Sequence, residues 1–111
     1  MDSLKSVIKE YFKDTLYEAE IVMKSSRDKK LTIVTDNLRG VCGITVCTVV
    51  GPAKPISDDL EKTYLKVKFF QMEDTLERHI KRMAIDARKI DGIISFIPIR
   101  AKKVVSRIYR S

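Results

Sequence analysis

Leu31-Thr-Ile-Val-Thr-Asp-Asn-Leu-Arg-Gly-Val-Cys-Gly-Ile44 and Ile80-Lys-Arg-Met-Ala-Ile-Asp-Ala-Arg-Lys-Ile-Asp-Gly-Ile93 carry one pattern twice. Leu31, Val34, Leu38, Val41, Gly43 and Ile44 correspond to Ile80, Met83, Ala87, Ile90, Gly92 and Ile93, each pair 49 positions apart. Apolar residues at i, i+3, i+7 and i+10 make one face of a helix. The glycine then supplies a left-handed cap, and a β-branched run follows at once. Each half therefore reads helix, Gly, strand: Lys29–Val41 into Ile44–Val50, and Asp74–Ile90 into Ile93–Ile99. In the second helix Asp74 or Glu73 is placed to cap the start, and Leu76, Ile80, Met83, Ala84, Ala87 and Ile90 form the stripe. On propensity alone Leu31–Thr35 would be a strand; the repeat decides for helix.

A strand precedes each helix. Before the second, Leu65, Val67 and Phe69 alternate with Lys66 and Lys68 within Tyr64–Phe70. Before the first, Ala19, Ile21 and Met23 alternate with Glu18 and Glu20. The helical stripe Leu4, Val7, Ile8, Tyr11, Phe12, Leu16 would equally run on through Ala19 and Met23, so residues 17–24 fit a strand or a continued helix. The expected architecture is α+β: a ferredoxin-like βαββαβ plait over residues 17–99, with an amphipathic helix before it (1–16) and a basic amphipathic tail after it (100–111). Gly51–Lys62, with Pro52, Pro55, Asp58, Asp59 and Glu61, reads as a solvated, mobile hairpin loop.

A chain of 111 residues, 44% apolar and 33% charged, supports one hydrophobic core. The net charge of +7 is uneven, because all 15 acids fall at or before Asp91. Arg100, Lys102, Lys103, Arg107 and Arg110 follow with no acid among them, so the basic signal reads as a tail and not a face. Cys42 and Cys47 read as reduced, small apolar residues, which points to an intracellular setting and not a secreted one. Lys5, Lys9 and Lys13 interrupt any signal-peptide core, and no apolar run approaches a membrane span, so a soluble protein without a membrane partner is expected.

No constellation here makes a catalytic, metal or cofactor site. The single His79 has no Cys, Asp or Glu cluster in sequence and reads as a surface-edge histidine. Cys42 and Cys47 are not spaced as a metal-ligand pair, and Ser25–Lys30 holds no phosphate-binding glycine pattern. Adjacent Asp58 and Asp59 point apart. Interaction residues are easier to find. If Leu65, Val67 and Phe69 face the helices, the other face carries Tyr64, Lys66, Lys68 and Phe70. It would also carry Thr45, Cys47, Val49, Ile94, Phe96 and Pro98, and it is too apolar to stay uncovered. Candidate covers are the N-terminal helix through Val7, Ile8, Tyr11 and Phe12, the tail, or a second copy. From Ala101 to Arg110, Val104, Val105, Ile108 and Tyr109 would share one helical side, with Lys102, Lys103, Arg107 and Arg110 on the rest. RNA-recognition motifs share this topology and stack bases on sheet aromatics, but Thr63–Phe70 lacks their Gly-aromatic pattern.

Ser3-Leu-Lys-Ser-Val-Ile-Lys-Glu-Tyr-Phe-Lys-Asp14 resembles the leader helices of short uncharacterised ferredoxin-like proteins of large tailed marine phages. Leu38-Arg-Gly-Val-Cys-Gly-Ile-Thr-Val46 and Lys89-Ile-Asp-Gly-Ile93 are similar to the cores that follow such leaders. The resemblance implies a phage gene product, a virion or assembly component. The expected function is thus a non-enzymatic structural or assembly protein acting through a protein partner or a homo-oligomer. The alternative is a small nucleic-acid-binding protein using the basic tail and the open sheet face.

Overall fold

The computed structural model describes residues 16–104. Alternation at period two sets its first element: Leu16–Ser26 is a strand, β1, with Ala19, Ile21, Met23 and Ser25 buried on one face. The strand reading of residues 17–24 therefore holds, and the strand starts one residue inside the span expected for the leading helix. After it come α1 (Leu31–Leu38), a 3-10 turn (Val41–Gly43), β2 (Ile44–Val49), β3 (Lys54–Pro55), β4 (Leu60–Phe70), α2 (Leu76–Ala87) and β5 (Ile93–Val104). The fold is α+β, with one antiparallel sheet of five strands and two helices. Strand order is β2-β4-β1-β5, with β3 paired to β4. The long strand β1 is central, hydrogen-bonded to β4 on one side and β5 on the other.

Both helices bury their stripes against the same sheet face. Val34 and Leu38 from α1 and Met83 and Ala87 from α2 join Ala19, Ile21, Met23, Ile44, Leu65, Val67, Phe69, Ile93 and Phe96 in one core. Each large side chain removed from water contributes roughly 1.5–3 kcal/mol, which is what holds the weaker helix in place. That helix, α1, contains Thr32, Ile33, Val34 and Thr35, has no side-chain N-cap, and is shorter than the expected Lys29–Val41. It stops at Leu38 because Gly40 turns left-handed (φ 87°), two residues beyond the helix. The Gly43 expected to cap it instead closes the 3-10 turn that leads into β2, although its φ of +77° is left-handed as anticipated. Helix α2 is likewise shorter than Asp74–Ile90, and neither Asp74 nor Glu73 caps it. Thr75 does: its Oγ1 accepts from the Arg78 N–H at 3.1 Å.

Three strand details depart from the expectations. The pairing of β2 with β4 steps over Thr45, so Val46 and Thr48 lie opposite Lys68 and Lys66 on the helix-free face. Cys47 and Val49 fall on the helix side, reversing the expected pattern, because one unpaired residue inverts every later side chain. The pairing of β1 with β5 skips Ile94 and Ile99 in the same way. Phe96 thus enters the core opposite Met23, and Pro98 lies opposite Ile21, both expected on the other face. Finally, Gly51–Lys62 is not a free loop. Lys54 and Pro55 pair with Lys62 and Glu61, and the Ser57 Oγ accepts from the Leu60 N–H at 3.2 Å. Arg27 ties the turn to β1, donating to the Ser57 carbonyl at 3.0 Å.

A Cβ at Gly43 would lie 2.7 Å from the Phe70 carbonyl oxygen, a backbone atom that cannot yield. At Gly92 (φ +96°) the nearest obstacle, at 2.9 Å, is the side chain of Lys29, which can. Gly43→Ala is expected to cost about 2–4 kcal/mol, combining the left-handed penalty with the clash, and Gly92→Ala about 1–2 kcal/mol. Urea-unfolding midpoints of the two variants check the order; a Gly92 variant less stable than the Gly43 variant would overturn it.

Candidate interaction face

On the face away from the helices, antiparallel register arranges the side chains in rows. Leu16 lies between Phe70 and Val104. In the next rows Glu18 lies between Lys68 and Lys102, and Glu20 between Lys66 and Arg100. Val22 follows between Tyr64 and Ile97, and Lys24 between Lys62 and Ser95. Two charged rows, negative on β1 and positive on both neighbours, are therefore bordered by apolar rows. Glu18 and Glu20 opposite Lys68 and Lys66 is the cross-strand arrangement expected from the alternation. Arg100 Nε donates to Glu20 Oε2 at 2.7 Å, and that hydrogen bond holds the Glu20 carboxyl below its ordinary range.

Much of this face remains in water. Ile97 is 54% exposed, Ile99 61% and Val46 41%, and Tyr64 is exposed beside them. The bulge that expels Ile99 from the ladder leaves a shallow cavity of about 200 Å³ bounded by Glu20, Val50, Tyr64, Lys66 and Ile99. Lys62 Nζ lies 5.4 Å from the centre of the Tyr64 ring.

A second cluster, on the helix side, brings together a Cys, a His and two acids that sequence spacing keeps apart. Cys42, Met72, Glu73, His79, Arg82 and Asp86 line a cavity of about 250 Å³. Its Cys42 and Asp86 side chains pair with one another. Burial, then the hydrogen bond to Asp86, push the Cys42 thiol up to about 12, so it stays protonated and donates to Asp86 Oδ2 at 3.1 Å. That contact, with Lys89 and Arg82 nearby, keeps Asp86 ionised below the usual carboxylate range. His79 is buried, stacked on Phe69 with ring centres 4.7 Å apart, and its Nδ1 accepts from the Met72 N–H at 2.9 Å. The neutral ring must then carry its proton on Nε2, which has no lone pair to offer a metal. Among the described residues no group of three or more His, Cys, Asp or Glu is placed to hold a metal ion. The expected surface-edge histidine is thus a core histidine. The i+4 spacing of His79 to Met83 and Ala87 was the available signal, since it puts the ring on the buried stripe.

Of the interaction residues expected from sequence, Val7, Ile8, Tyr11, Phe12, Val105, Arg107, Ile108 and Tyr109 lie outside the described residues. Lys102 and Lys103 are described, and their expected place on a helical tail is corrected: Ala101–Val104 continue β5. The reason is β1, whose first residues need a partner on that side; Leu16, Tyr17 and Glu18 pair with Val104, Lys103 and Lys102. Alternation then separates the two lysines. Lys102 joins the open face beside Glu18, while Lys103, opposite Tyr17, points to the helix side. The basic residues Arg100 and Lys102 are therefore part of a face after all. Cys42 and Cys47 are free, and burial pushes the Cys47 thiol up to about 11. Among the described residues no helix is long and apolar enough to cross a membrane. No family model matches the chain, and no curated protein matches it.

Burial holds the His79 ring below its ordinary value of 6.5; the Cys42 carbonyl acts in the opposite sense but makes no well-formed hydrogen bond to Nε2. The unfolded chain therefore binds this proton more readily than the folded one. The stability His79 contributes is complete above pH 6.5 and is lost as pH falls through the lowered folded value, by at most about 1.4 kcal/mol per pH unit. Chemical unfolding of the wild type and His79→Gln between pH 5 and about 8 checks this. The wild type is expected to weaken toward pH 5 relative to the variant, and parallel curves would refute the assignment.

Proposed function

We propose that this chain is a non-enzymatic structural or assembly protein that works through protein–protein contacts at the open sheet face. One observation carries the reading. Ile97, Val46 and Tyr64, and Ile99 at the bulge, remain exposed on the paired sheet, interleaved with charged side chains. Apolar side chains around ordered charged rows suit a protein interface, where the apolar part supplies affinity and the charges set orientation. The closed state of the Cys42–Asp86–His79 cluster supports a non-enzymatic reading, since neither thiol nor imidazole is poised for chemistry.

In the same reading the strand order β2-β4-β1-β5, with a helix before β2 and another before β5, supports a ferredoxin-like plait. The resemblance of the leader and of the two Gly-containing segments to phage proteins supports a virion or assembly role. A second reading, nucleic-acid binding, is favoured by Tyr64, Phe70, Lys66 and Lys68 on one face of β4.

Two variants separate them. With Ile97→Asp and Ile99→Asp combined, association with itself or with a purified partner is expected to weaken about a hundredfold or more. Lys66→Gln with Lys68→Gln is expected to weaken it by about tenfold at most. Binding to poly(U) that depends steeply on salt, and is lost in the lysine variant but not the isoleucine one, would transfer the function to nucleic acid.

A further inference from the structure

We infer that the partner of the open face is a second copy of this chain, packed face to face about a two-fold axis that runs parallel to the strands between β1 and β4. This deepens the protein-contact reading and rests on it.

The argument is the register. Glu18 and Glu20 on β1 lie level with Lys68 and Lys66 on β4. A two-fold axis along the strands keeps every row level and exchanges the two strands across the interface. Glu18 of each copy then stands over Lys68 of the other, and Glu20 over Lys66. Leu16 meets Phe70, and Val22 meets Tyr64, by the same operation. Arg100 and Lys102 come to lie over Thr48 and Val46 at the flank, where they keep access to water. Only the end row sets like charges opposite one another, Lys24 against Lys62, at the rim where water screens them. An isologous contact of this kind is self-complementary by construction.

Turning the axis across the strands gives the opposite result. It lays β1 on β1 and β4 on β4, so Glu18 would face Glu20 and Lys66 would face Lys68. The charge pattern thus selects an axis along the strands. An axis between β1 and β5 would match Glu18 and Glu20 with Lys102 and Arg100 equally well but would overlap only two strands. The four-strand overlap places it between β1 and β4.

Dimensions agree. Packed sheets lie about 10 Å apart, a gap that a glutamate and a lysine reaching toward each other can close. The 11 residues each of β1 and β4, the ten of β5 paired with β1 and the six of β2 outline a face of about 600 Å² per copy, from about 3.3 Å per residue and 4.8 Å per strand. Two such faces bury about 1,200 Å², at the lower end of the range of specific interfaces. The exposed Ile97 and Ile99 would extend that area at the rim.

The test uses full-length chains and sedimentation across a concentration series, with thermal melts as a folding control. The wild type is expected to be a dimer. One variant carries Glu18→Lys and Glu20→Lys, the other Lys66→Glu and Lys68→Glu. Each alone sets like charges across the two-fold axis and is expected to be monomeric, with self-affinity lowered about a hundredfold. Mixed in equal amounts, they are expected to form a one-to-one heterodimer. A chain with all four substitutions restores the β1–β4 pairs within and between copies, at the loss of the Glu20–Arg100 and Glu18–Lys102 pairs within each copy. It is expected to dimerise again, which separates lost association from lost folding.

A wild type that stays monomeric to about 0.1 mM overturns the inference. If that monomer becomes a dimer when Val7→Asp and Phe12→Asp are introduced, the occupant is the chain's own N-terminal segment instead. A dimer that persists in both charge-reversed variants also overturns it, placing self-association elsewhere while leaving the open face to another protein. A monomer that binds poly(U) overturns both this inference and the protein-contact reading.

Discussion

A strand hydrogen-bonded along both edges leaves its side chains only two directions, and β1 is such a strand over the ten residues from Leu16 to Ser25. Everything else in the fold answers to that constraint. Ala19, Ile21, Met23 and Ser25 must go one way, so the helices that cover them must lie on that side. Glu18, Glu20, Val22 and Lys24 must go the other way. Each charge there is then met by whatever β4 and β5 bring level with it, which is Lys68 and Lys102 for Glu18, and Lys66 and Arg100 for Glu20. The length of β1 also draws β5 out to Val104, since a shorter neighbour would strand backbone groups of the central strand.

The same constraint makes single-residue irregularities consequential. Three unpaired residues, Thr45, Ile94 and Ile99, decide which side chains enter the core and which stay in water. Stepping over Ile94 puts Phe96 in the core; stepping over Ile99 returns Arg100 to the row of Glu20 and leaves an isoleucine 61% exposed. Edge strands commonly carry such bulges, and with Pro98 among them β5 presents a broken edge that resists pairing with further strands. The β5 edge is thereby discouraged from pairing with a further strand.

The helix-side cluster illustrates how proximity alone misleads. A cysteine, a histidine and an aspartate within one cavity have the residue types of a thiol-based catalytic site. Here most of their polar atoms are paired with one another or with backbone, His79 Nε2 excepted. The thiol is spent on Asp86, the imidazole nitrogen that could act as a base accepts a backbone N–H, and the carboxylate is shared with Arg82 and Lys89. The arrangement joins the 3-10 turn, the segment after β4 and α2 into one unit.

The amino-acid sequence by itself determined the order of the two helix–Gly–strand units, the strand β4 and most of the core. The 49-residue repeat marked both units and period-two alternation marked β4, because these signals are local and each follows from burying one face. Residues 17–24, in contrast, fitted a strand or a helix until their pairing with β4 and β5 decided it. Gly43 and Gly92 were legible as left-handed positions for the same reason. Only the tertiary structure decided where the bulges fall, that Lys102 belongs to a charged face and Lys103 does not, and that His79 sits in the core against Phe69. Those outcomes depend on which strand pairs with which, and at what offset. A one-residue step between partners far apart in sequence reverses the faces of all that follows, and no local pattern records it.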